Sequence, residues 1–124
     1  MTNQMKQRDF GWLVDLPKPS YACLNLLNHC KTEHDAILLT WNLRTVKRTM
    51  SDAAALLEMP KSHLSNILAG KKYLPNGLRI PFMWLCGNLA IRQWEDAQMS
   101  ALHLDLELLE AEQRLLEIKA RKAA

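Results

Sequence analysis

The stretch 49–70, TMSDAAALLEMPKSHLSNILAG, decides the fold. Thr49 is a good N-cap, and Asp52 three residues on places a second side-chain oxygen beside the free N–H groups of a first helical turn. Ala53, Ala54 and Leu57 supply that helix with a buried face. Glu58, Met59 and Pro60 interrupt the run. Proline is tolerated at the start of the next helix, because the first helical position has no N–H partner to lose. In the second helix Leu64, Ile67 and Leu68 share one side, while Lys61, Ser62, His63, Ser65 and Asn66 share the other. Gly70 stands where a left-handed C-cap ends it. The spacing predicts two short helices joined by a tight turn, the second presenting a short, polar, basic face.

The segment resembles the helix-turn-helix of the lambda-repressor-like family, which includes phage repressors and Cro. That family pairs an Ala in the first helix with a hydrophobic residue in the turn, then Leu and Ile in the recognition helix, then Gly followed by basic residues. These fall here on Ala54, Met59, Leu64, Ile67 and Gly70, with Lys71 and Lys72 after. The run Ser62, Leu64, Ser65, Ile67, Gly70 appears without a gap. Glu58 departs from the Gly usual in the turn, and Met50 from a Gln that relatives aim at DNA. The resemblance implies an all-α, five-helix body that binds double-stranded DNA. Base reading then falls to Lys61, Ser62, His63, Ser65 and Asn66 at the helix that enters the major groove. Phosphate contact falls to Arg44, Lys47, Arg48, Thr49, Ser51, Lys71 and Lys72.

Charge points the same way. Between residues 44 and 79, Arg44, Lys47, Arg48, Lys61, Lys71, Lys72 and Arg79 oppose only Asp52 and Glu58. Between residues 95 and 117, seven acids oppose only Arg114, so the overall +3 hides a basic centre and an acidic tail. At 124 residues and 48% hydrophobic, the chain supports one compact domain plus an appended element. No apolar run approaches the roughly 20 residues of a membrane span, and the first residues lack the apolar core of a signal peptide, which predicts a cytoplasmic protein. Cys23, Cys30 and Cys86 read as reduced packing cysteines, and Cys30 with His29 and His34 lacks metal-ligand spacing. No metal or cofactor is expected. Neither a phosphate loop nor a nucleophile elbow occurs, so no enzymatic activity is expected.

The remaining segments organise around this centre. Residues 1–19 read as an arm carrying Phe10, Trp12, Leu13 and Val14, closed by Pro17 and Pro19. Ser20 is positioned to cap a helix through Tyr21, Leu24, Leu26, Leu27 and Cys30. Thr32 and Asp35 form a capping box before a helix over 36–46, with Ile37, Leu38, Trp41 and Leu43 as its buried stripe. KKYLPNG after Gly70 is a loop, and a helix over 80–86 follows, with Pro81 in its first turn and Phe82, Trp84 and Leu85 for burial.

From Asn88 the chain becomes one long helix without Gly or Pro. Trp94, Ala97, Ala101, Leu104, Leu108, Ala111, Leu115 and Ile118 alternate spacings of three and four. A second stripe of Leu102, Leu106, Leu109 and Leu116 widens the apolar face. The organisation expected is thus an arm (1–19), a DNA-binding body (20–87) and a dimerisation helix (88–124) whose seam uses Trp94, Ala101, Leu104, Leu108, Leu115 and Ile118. The corresponding function is a homodimeric transcriptional regulator of phage or prophage type that reads a palindromic operator. The alternative is a protein-interaction module, such as an adaptor, antitoxin or anti-defence protein, using the same helix and arm.

Overall fold

The computed structural model describes residues 10–123. Among these, six α-helices and two short 3-10 turns follow one another: α1 (Leu24–Leu27), α2 (Glu33–Asn42), α3 (Met50–Leu56), α4 (Lys61–Leu68), α5 (Arg79–Cys86) and α6 (Ala90–Ala123), with 3-10 turns at Gly11–Asp15 and Asn76–Leu78. The architecture is all-α. The sole extended pairing among the described residues is an isolated parallel bridge between Ser20 and Asn88. No helix among them is long and apolar enough to cross a membrane. The chain divides into two units, one through Trp94 and one starting at Glu95.

The core of the first unit is assembled from α2 to α5 and the first turn of α6. Leu57, Leu64, Ile67, Phe82, Cys86 and Ile91 are fully buried, and Trp41 stacks on Phe82 with ring centroids 6.4 Å apart. A smaller cluster joins Ala22, Leu27 and Ala90, with Leu39, Leu43 and Trp94 against it. Phe10 and Trp12 meet edge to face at 5.9 Å and pack on the main core, so the described part of the arm docks, although Val14 stays exposed. Residues 1–9 of the arm lie outside the described residues. Since Ala90 and Ile91 are fully buried, the start of α6 belongs to the body, beyond the boundary placed after residue 87.

Helix α2 begins with the expected capping box. Thr32 Oγ1 accepts from the Asp35 N–H at 3.2 Å, and the Asp35 carboxylate accepts from the N–H groups of Lys31 and Thr32 at 3.0 and 3.2 Å. Those two N–H groups hold the Asp35 carboxyl below the ordinary range. The helix starts at Glu33 and ends at Asn42, short of the expected Val46; the Thr45 N–H leaves the helical ladder for the Cys86 carbonyl at 2.9 Å, and Arg44 Nη1 takes the Trp41 carbonyl at 3.0 Å. At α3 only the first half of the pattern forms: Thr49 Oγ1 accepts from Asp52 N–H at 3.1 Å.

Ser20 caps no helix. Helix α1 is a single turn starting at Leu24 with Cys23 at its N-cap. The Ser20 backbone instead donates to the Gly87 carbonyl at 3.1 Å and accepts from Leu89 N–H at 2.9 Å. This partner lies far along the chain, which local capping rules cannot anticipate. Asn88, buried beside it, donates to the Thr40 carbonyl at 2.9 Å and accepts from Ala90 N–H at 3.2 Å.

Three helices end on a left-handed residue: Glu58 (φ +57°), Gly70 (φ +80°) and Gly87 (φ +82°). At α3 the Met59 N–H reaches back to Ala54 and the Glu58 N–H to Ala55; at α4 Lys71 reaches Asn66 and Gly70 reaches Ile67. Both are Schellman closures. Gly87 closes α5 with one bond to Met83.

Candidate nucleic-acid interface

Helices α3 and α4 meet through Leu57, Glu58, Met59 and Pro60. Pro60 stands one position earlier than expected, as N-cap of α4, and its carbonyl accepts from the N–H groups of His63 and Leu64. Leu57 and Met59 point inward with Leu64, Ile67 and Leu68, and this fixes the outer face of α4. On that face Lys61, Ser62 and Ser65 are exposed, and His63 and Asn66 are half-buried. The backbone carbonyl of Asn66 receives Lys71 and Lys72 N–H at 2.9 and 3.3 Å, which fixes the chain path just after the helix.

A second anchor has no counterpart in the sequence pattern. His34 on α2 donates through Nε2 to the Leu68 carbonyl at 2.8 Å, satisfying one of the free carbonyls at the C-terminal end of α4. Its ring lies close under Gly70, where a Cβ would meet three ring atoms at 3.2–3.3 Å. Thus α4 is held at its start by the turn and at its end by a histidine. The signal for His34 is a contact across 34 positions, and no local spacing encodes it.

The basic residues divide into two groups. Lys47, Lys61, Lys71 and Lys72 are exposed, as are Thr49 and Ser51 at the start of α3. Arg44, by contrast, is half-buried: its Nε donates to the Arg48 carbonyl at 3.1 Å, its Nη1 to the Trp41 carbonyl at 3.0 Å, and its guanidinium lies 4.1 Å over the Trp41 ring. Arg48 is half-buried, with a buried Nε that has no hydrogen-bond partner in the structure. Arg79 pairs with Glu33 at 3.1 Å, tying α5 to α2. Met50, the first residue of α3, is half-buried against the main core and so acts as a packing residue.

The seam residues also divide. Trp94 is half-buried within the first unit and donates its indole N–H to the Cys30 carbonyl at 3.2 Å. Ala101, Leu104, Leu108, Leu115 and Ile118, in the second unit, are all exposed. Cys23 is exposed, Cys30 half-buried and Cys86 buried; all three are free thiols, and burial pushes Cys86 up to about 12 against the opposing pull of Arg44 and Arg48. Among the described residues, no group of three His, Cys, Asp or Glu side chains is placed to hold a metal ion.

Compared with known proteins, the chain matches no family model, no curated protein and no solved structure.

Proposed function

We propose that this chain is a sequence-specific DNA-binding transcriptional regulator acting as a homodimer, with a lambda-repressor-like helix-turn-helix formed by α3 and α4. The observation that carries this reading is the outer face of α4. Its side chains are polar or basic and accessible, while the helix is anchored at both ends and buried along its other face. A helix so held has little backbone freedom left to lose on binding, which favours reading base edges in the major groove. Lys61 suits guanine acceptors and Asn66 suits adenine. Exposed Lys47 precedes α3, and exposed Lys71 and Lys72 follow α4, where they suit phosphate positioning. The leucine-rich face of the second unit supports pairing with a second copy, which would offer two recognition helices to a palindromic site. A repressor of phage or prophage type fits the resemblance.

The test is capture of genomic fragments by the purified protein, followed by affinity measurements on the enriched and on random duplexes. Lys61→Ala and His63→Ala should each lose about 1–3 kcal/mol on the enriched sequence and much less on random DNA. Equal weakening on both would refute the base-reading assignment. Failure to bind any duplex at low salt would refute the DNA reading and leave the interaction-module alternative standing.

A further inference from the structure

The second unit carries an apolar face that its own residues leave uncovered. Leu102, Leu104, Leu106, Leu108, Leu109, Leu115, Leu116 and Ile118 are all between 45% and 66% exposed. Two seams share this helix. One runs through Ala101, Leu104, Leu108, Ala111, Leu115 and Ile118; the other through Met99, Leu102, Leu106, Leu109 and Leu116. The second seam is bordered by Asp96, His103, Glu110 and Glu117 on one side and by Asp105, Glu112 and Lys119 on the other. Two copies meeting there in parallel would set Asp105 against Glu110 and Glu112 against Glu117, whereas the first seam is also bordered by Glu107 and Arg114, which offer an attractive pair, so self-pairing is assigned to the first seam.

Flanking charges also fix the direction of that pairing. In a parallel pair, each residue just before an a position faces the residue five further along the other chain. Glu107 would then face Glu112, and Arg114 would face Lys119, each twice by symmetry, with no attractive contact to offset them. In an antiparallel pair centred between residues 109 and 110, Glu107 faces Arg114 of the second copy twice. Asp105 then faces Glu112 twice, so attraction and repulsion balance. Side-chain volumes favour the same arrangement. Antiparallel layers join Ala101 with Ile118, Leu104 with Leu115, and Leu108 with Ala111, so every alanine meets a large residue. Parallel layers would set Ala101 on Ala101 and Ala111 on Ala111, leaving thin steps between wide ones. The contacts that Glu107 and Arg114 make on their own helix, Arg114 with Glu110 at 3.7 Å and Glu107 with His103 at 3.0 Å, are solvent-exposed and too weak to hold them from new partners.

We infer that the helix from Glu95 onward pairs with a second copy of itself in antiparallel orientation, along Ala101, Leu104, Leu108, Ala111, Leu115 and Ile118, with Glu107 and Arg114 as the reciprocal ion pair. This rests on the homodimer reading above and adds the orientation. The experiment is sedimentation velocity on the full chain, comparing wild type, Glu107→Arg, Arg114→Glu and an equimolar mixture of the two variants, with helix content checked by circular dichroism. Both positions are exposed, so the folded first unit is unaffected. Each variant alone should dimerise about tenfold more weakly, since two attractive pairs become repulsive. The mixture should regain wild-type affinity, because both contacts of the mixed pair again join one arginine to one glutamate. Tighter association of either variant alone would show a parallel pair and overturn the orientation. Unchanged association in both would place the interface off this seam and overturn it equally. A wild-type chain that is monomeric at tens of micromolar would overturn the homodimer reading itself.

Discussion

Replacing Glu58 by Gly should stabilise the protein. Glu58 sits at φ +57° because α3 closes by bonds from Glu58 N–H to Ala55 and from Met59 N–H to Ala54, and that closure requires a left-handed residue between them. A residue with a Cβ costs about 1–2 kcal/mol in that region. Gly avoids this cost but loses about 0.5–1 kcal/mol more backbone entropy on folding. The difference leaves a gain of about 1 kcal/mol, which for a domain of this size raises Tm by about 4–8 °C. Glu58 also places a negative charge at the negative end of a helix, so losing the carboxylate contributes to any gain as well. Glu58→Ala removes the carboxylate and keeps the Cβ, and therefore separates the two. Urea unfolding followed by circular dichroism should rank Gly above Ala above Glu. A Glu58→Gly variant no more stable than Glu58→Ala would show that the left-handed strain is not there.

Gly87→Ala should destabilise by about 3 kcal/mol, combining left-handed strain with collision against the Thr45 side chain; Thr45→Ala in the same chain should recover part of it, and thermal unfolding without such recovery would refute the packing account. Cys86, held protonated by burial up to about 12, should resist alkylation at pH 8 in the native protein and react in denaturant. Because its folded pKa is raised above the ordinary value of 9.0, the stability it contributes is full below about pH 9 and is lost as pH climbs toward 12; Cys86→Ala should flatten that alkaline limb of an unfolding series. Replacing Lys71 and Lys72 together by Ala should flatten the plot of log affinity against log salt by about 1.8 per subunit, at ~0.9 per phosphate, and an unchanged slope would place both lysines away from the ligand.

Features set by neighbours within a turn were legible in the sequence. Thr32 with Asp35, Thr49 before α3, Gly70 after α4 and Pro81 in the first turn of α5 each act over at most a few residues, and each stands where the pattern put it. Apolar periodicity likewise identified Leu64, Ile67 and Phe82 as core. Contacts that close distant segments were not legible. Ser20 reads as a helix cap because Ser before an apolar run usually is one, yet its backbone bonds lie with Gly87 and Leu89. The apolar pattern carries α2 four residues too far, since nothing local announces that the Thr45 N–H will bond the distant Cys86 carbonyl. In the candidate interface, the outer face of α4 was readable from spacing, whereas the His34 anchor at its far end was not.

The two arginines committed inside the body change what its formal charge is worth to a polyanion. Counting residues 44–79 suggests seven cations, but Arg44 spends its guanidinium on two carbonyls and an indole ring, and Arg79 spends its own on Glu33. Arg48 is half-buried, its carbonyl accepting from Arg44 Nε. That leaves four exposed lysines, Lys47, Lys61, Lys71 and Lys72, as the cations able to displace condensed counterions. At ~0.9 per phosphate, Lys47, Lys71 and Lys72 correspond to a salt slope of about 2.7 for each subunit, with Lys61 assigned to bases, where seven would give about 6.3. The chain would then hold non-specific duplex only loosely at physiological ionic strength, and an occupied site would owe most of its lifetime to base contacts and to the second copy.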